Sequence, residues 1–122
     1  MIETLPDMPA GVIGLRAVGR IEPEDYTEIM DPAVDRLLAE QDKINMVYVV
    51  GDDFDRYSLG AMWEDAKFGL RDPRQWGRIA MVTNHDWLKH AMAIFGPITP
   101  GHCRVFPVDQ VDSAAAWAGG QG

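Results

Sequence analysis

The 122 residues predict an α/β fold: a mixed sheet of about five strands in the order β-β-α-β-α-β-α-β-α, with an antiparallel strand at its N-terminal edge. Three observations predict it. Ile44 to Val50 is a nearly all-apolar, β-branched run, the pattern of a strand covered on both faces. Beyond residue 20, helical patterns and short apolar runs alternate strictly, which argues for parallel strands joined by right-handed crossovers. Before it, two short strands are separated by a turn too brief for a crossover, so they pair as a hairpin.

Met1 to Leu5 alternates apolar and polar residues and reads as an edge strand; Pro6-Asp7-Met8-Pro9 then forces a turn. Val12 to Val18 is the second strand, with Ile13, Leu15 and Ala17 on one face. Pro23 suits a first helical turn, and Glu24 and Asp25 favour the helix's positive end. Tyr26, Ile29, Met30, Ala33, Val34, Leu37 and Leu38 then recur at three and four, an amphipathic helix that Pro32 should kink or split. After the central strand comes an acidic loop, Gly51 to Tyr57. A helix follows from Ser58 as cap, with Leu59, Met62, Trp63, Ala66 and Leu70 on its inner face. Arg71-Asp72-Pro73 ends it, Ile79 to Thr83 is the next buried strand, and Asn84 caps a helix running to Phe95. Gly96-Pro97 stops that helix; Arg104 to Phe106 is the last strand, and Asp109 caps a short helix through Trp117. Residues 1–118 read as one domain and 119–122 as a frayed tail.

Composition narrows the function classes. Of the net charge of −8, residues 1–60 carry the whole excess, with 13 acids against 5 bases. Such a chain is unsuited to nucleic acid, whose phosphates require clustered Lys and Arg. No apolar run approaches the ~20 residues of a membrane span. Met1 leading straight into a strand predicts an intact cytoplasmic protein, and the single cysteine, Cys103, rules out an internal disulfide framework.

Side chains capable of chemistry do not assemble into a catalytic signature. Asp52, Asp53 and Asp55 have a spacing faintly like a calcium loop, but the glycine and terminal glutamate of such a loop are missing. His85, His90 and His102 lack metal-ligand spacing, so no metal or other cofactor is expected. Cys103 sits beside or within a strand, where cysteine is a small buried hydrophobe. Glu64 and Asp65 point about 100° apart on a helix and do not converge on one atom. The reading is of a protein that is not an enzyme.

Several segments resemble the SpoIIAA-like family, relatives of the STAS and CRAL-TRIO folds. They are Leu5-Pro6-Asp7, Gly11-Val12-Ile13-Gly14, Glu24-Asp25-Tyr26 leading to Pro32-Ala33, and Arg78-Ile79-Ala80. Thr99-Pro100 and Arg104-Val105-Phe106-Pro107 add to the set, and the most specific piece is the helix Gly60-Ala61-Met62-Trp63-Glu64-Asp65-Ala66-Lys67-Phe68-Gly69-Leu70. The resemblance covers essentially the whole chain. It implies a β/α superhelix and a non-enzymatic module for small ligands, lipids or partner proteins, with a mobile helix at Asn84 to Phe95. In the anti-sigma-factor antagonists of the STAS group, an Asp-Ser-Ser-Gly-like turn at the position of Tyr57-Ser58-Leu59-Gly60 is phosphorylated. That likeness makes Ser58 a phosphorylation candidate, although the paired serine and preceding Asp are missing here and a plain capping role is the favoured explanation.

What remains is apolar. Phe54 and Tyr57 flank the central turn, while Trp87 and Ile94 lie off the core stripe of the Asn84 helix, which Phe95 and Ile98 continue into a loop. With Trp63 on the facing helix, these residues are expected to line a pocket between the Ser58 and Asn84 helices. Its occupant would be an apolar or amphipathic small molecule, and its edge would touch a membrane surface. The plain alternative is ordinary core with a few exposed aromatics. A homodimer through Phe68 or the edge strand Met1–Leu5 is compatible with either.

Overall fold

The computed structural model describes residues 1–58, 60, 73–95 and 101–120. Its sheet has five strands: β1 (Ile2–Thr4), β2 (Val12–Ile21), β3 (Ile44–Tyr57), β4 (Trp76–Thr83) and β5 (His102–Phe106). They lie side by side in chain order. The first pair is antiparallel and the other three are parallel. The mixed sheet with an antiparallel N-terminal edge is therefore as the sequence predicts.

Alternation along the strands builds two cores. Leu15, Ala17, Met46, Tyr48 and Val50 face one side, where Tyr26, Met30 and Val34 cover them. Val47, Val49, Ala80, Val82 and Phe106 face the other, beneath Ala114, Ala115 and Ala118 of the C-terminal helix. The parallel register keeps each set together, pairing Leu15 with Tyr48 and Ala17 with Val50.

Between β2 and β3 the backbone passes through a helical turn at Pro23–Asp25, a π-helical turn at Tyr26–Met30, and α1 (Asp31–Leu38). The expected proline break thus takes a specific form. The Asp31 N–H reaches back five residues to the Tyr26 carbonyl, and Pro32, which has no N–H, stands at the start of α1. Asp25, beyond favouring the helix end, accepts from the backbone N–H of Ile2 (3.1 Å) and Glu22 (2.7 Å), pinning β1 to the turn.

The other helices are α2 (Asp86–Phe95) and α3 (Val111–Ala118). Small residues let α3 sit close to the sheet, and Gly14 does the same for the Leu5–Pro9 segment. A Cβ on Gly14 would lie 2.7 Å from Met8 Cγ and 2.9 Å from Leu5 Cβ.

The structure corrects several boundaries. The acidic segment is not a loop: β3 continues from Val50 to Tyr57, and β2 from Val18 to Ile21. The extension survives a glycine and three acids because β2 follows it through bulges on either side of Gly19, whose φ is +61°. Strand β4 begins at Trp76 rather than Ile79, since Asn45 Oδ1 accepts the Arg78 N–H (2.9 Å) across a register shift. Asn84 does not cap α2. Its side-chain oxygen accepts from the Val108 N–H (3.3 Å), and the helix starts at Asp86. Before α3, Val108–Gln110 forms a 3-10 turn with Asp109 inside it. Of the helix expected from Ser58, the cap Ser58 and Gly60 are described, and 59 and 61–72 lie outside the described residues.

These packing differences set a stability contrast. Leu15→Ala removes a side chain with no exposed surface and should cost about 2–5 kcal/mol in urea unfolding. Ile94→Ala, at a position 67% exposed, should stay within about 0.5 kcal/mol of the parent protein.

Candidate functional site

The carboxyl ends of β3 and β4 lie side by side, with Val50 paired to Thr83, so Gly51 and His85 are neighbours across the sheet. The His85 ring Nε2 sits 2.9 Å from the Gly51 carbonyl. A carbonyl only accepts, so Nε2 carries the proton and donates. The His85 backbone N–H in turn donates to Thr83 Oγ1 (3.1 Å), and Thr83 is fully buried. The ring is therefore held from two directions.

Three rings meet here. Phe54, 9% exposed on extended β3, contacts His85 edge-on with centroids 6.0 Å apart and planes at 76°. Trp87, in the first turn of α2, lies 6.4 Å from both Phe54 and His85. Phe54 belongs to the core, but Trp87 is 53% exposed. Ile94, seven residues further along α2 and on the same side of the helix, is 67% exposed. Leu88, by contrast, packs against the core. The outcome is an aromatic platform rooted in the core and open to water.

Two nearby acids have local partners. Asp53 pairs with Arg16 of β2, and Asp86 lies 3.9 Å from Lys89 one helical turn away. Among the described residues, no three His, Cys, Asp or Glu side chains are grouped to hold a metal ion.

Of the expected ligand-binding residues, Phe54, Trp87 and Ile94 are placed by the structure, and the first two are brought together. Trp63 and Ile98, and the interface candidate Phe68, lie outside the described residues, as do the side chains of Tyr57 and Phe95. The pocket expected between the Ser58 and Asn84 helices depends on those residues and is likewise outside them. Ser58 is 8% exposed, and its N–H donates to the Ile21 carbonyl (2.9 Å), closing the β2–β3 ladder. His85 is the contributor that the sequence reading missed, treated there only as a scattered histidine. Its signal was position: two residues past a strand end, opposite the glycine that follows the neighbouring strand.

An open cleft of about 400 Å³ lies elsewhere, between the Leu5–Pro9 segment and α3 on the opposite sheet face.

Cys103 lies within β5, and burial pushes its thiol up from 9.0 to about 11. A thiol at that value is protonated at neutral pH, which suits packing rather than nucleophilic attack. With Ellman's reagent at pH 8, the folded protein should react on the order of tens-fold more slowly than the urea-unfolded chain. Because the folded value is the higher one, this group's stabilising contribution is complete below pH 9. It is lost as pH rises from 9 to about 11, where the unfolded thiol ionises first. Cys103→Ser should flatten that part of a stability-versus-pH profile.

Comparison with known proteins places the fold. No match to a curated protein is found. A crystal structure of an uncharacterised DUF3478-family protein with a SpoIIAA-like fold, from Shewanella loihica PV-4, superposes with a TM-score of 0.74. It is 25% identical, over 96% of this chain and 93% of that one. The SpoIIAA-like family model matches residues 12–119, nearly the whole length, and the chain belongs to the SpoIIAA-like family.

Proposed function

We propose that this protein is a non-catalytic binding module whose Phe54–His85–Trp87 platform receives a small apolar or amphipathic ligand. The observation that carries the reading is the half-exposed Trp87. An indole costs free energy when left in water, and here Phe54 and a tethered His85 support it from beneath. Ile94 extends the same apolar strip along α2. Covering a large side chain of this kind contributes about 1.5–3 kcal/mol, enough for two such groups to hold a modest ligand. The net charge of −8 favours neutral or zwitterionic partners over anionic ones.

The same strip suits peripheral contact with a zwitterionic membrane surface, where Trp is favoured at the headgroup level. No helix among the described residues is long and apolar enough to cross a membrane. Non-catalysis is supported by the Cys103 thiol, which burial raises to about 11 and so keeps protonated at neutral pH. The rival reading, a partner switch operated by phosphorylating Ser58, requires a kinase to reach a residue 8% exposed.

The test compares the parent protein with Trp87→Ala and with the double variant Trp87→Ala/Ile94→Ala. Binding of a fluorescent medium-chain alcohol or zwitterionic lysolipid, and sedimentation with phosphatidylcholine vesicles, are the readouts. The parent should bind saturably, Trp87→Ala should lose about five- to twentyfold in affinity, and the double variant should lose more. Equal uptake by all three proteins, or none by the parent, would contradict the reading.

A further inference from the structure

We infer that the open cleft between the Leu5–Pro9 segment and α3 is a second binding site, selective for an amphipathic organic cation of the alkylammonium type. It lies on the sheet face opposite the aromatic platform and does not rest on that platform's role. Its volume of about 400 Å³ is within the ordinary range for small-ligand sites, about 300–1,000 Å³. Leu5, Met8, Val111 and Ala115 supply an apolar lining that merges with the second core.

The walls are built in advance. Pro6 and Pro9 restrict one side, and the Leu5 N–H donates to the Gly14 carbonyl (2.8 Å). Gly14, having no side chain, leaves room for Met8 and Leu5 above the sheet. Little backbone ordering remains for a ligand to impose.

Charge chooses the ligand class. The polar groups among the lining side chains are the carboxylates of Asp7 and Asp112, both solvent-exposed, and among the described residues no cationic side chain lines the cleft. Neither carboxylate has an ion pair or hydrogen-bond partner among the described residues. An anionic head would meet two like charges on a chain already at −8. An ammonium head on a hydrocarbon body satisfies both the acids and the apolar lining. Asp112 has a second explanation, since an acid in the first turn of α3 favours the helix end. Asp7 does not share it. Its backbone φ of +61° is one that Asn adopts as readily, so Asp7→Asn removes the charge and leaves the loop intact.

The experiment titrates the full ¹⁵N-labelled protein with octylammonium, octanol and octanoate, each below its micelle threshold. Saturable amide shifts at Asp7, Met8, Ala115 and Ala116 are expected with octylammonium, with octanol weaker and octanoate without effect. Asp7→Asn should weaken octylammonium binding about two- to fivefold, and added salt should weaken it further. Trp87→Ala should leave the octylammonium shifts at Asp7, Met8, Ala115 and Ala116 unchanged, which separates this site from the platform. At those four residues, equal shifts from octanol and octylammonium, preference for octanoate, or no saturable shift, as when shifts are confined to residues around Trp87, would each overturn the proposal.

Discussion

The structure depends on the parallel ladder between β2 and β3. Parallel strands exchange slanted, evenly spaced hydrogen bonds and bring side chains of equal parity onto one face. Here the pairing from Val12↔Asn45 to Val50↔Ala17 is regular and then continues through bulges to Ile21↔Tyr57. The regular part divides the apolar residues into two cores. The bulged part holds Phe54 against the first core, well beyond where the apolar run in the sequence stops. Without it Phe54 would belong to a solvated loop and Trp87 would lose the ring beneath it.

The two faces of the sheet are completed differently. On one, large side chains such as Tyr26 and Met30 fill the space below the helical turns and α1. On the other, α3 presents Ala114, Ala115 and Ala118 and lies close, while the proline-bounded segment Leu5–Pro9 takes the remaining area. The first face thereby ends in a surface of rings, and the second in a cleft between a rigid segment and a helix. A SpoIIAA-like sheet in this chain offers two chemically distinct surfaces, one aromatic and one apolar with acidic side chains.

Much of the architecture was legible because it rests on hydrophobic period and proline placement. Ile44 to Val50 could be nothing but a buried strand, and Pro6 and Pro9 forced the hairpin turn. Boundaries were less legible where non-local contacts decide them. Asp52, Asp53 and Asp55 have low strand propensity, and only the partner strand's bulges, with Arg16 beside Asp53, keep them extended. Asn84 looked like a helix cap, yet its amide is used on Val108, 24 residues away. At the site, Trp87 and Ile94 were legible as apolar residues off the core stripe. The contact of Trp87 with Phe54, and the part of His85, follow from strand register that no local pattern encodes.

Amide hydrogen exchange over residues 51–58 is the most direct test, since the whole arrangement needs that segment to be strand. The Ser58 amide, donating to the Ile21 carbonyl, should be protected nearly as well as the amides of Val47 and Val49. Exchange of Ser58 and its neighbours at the rate of an open loop, with residues 44–50 still protected, would contradict the account.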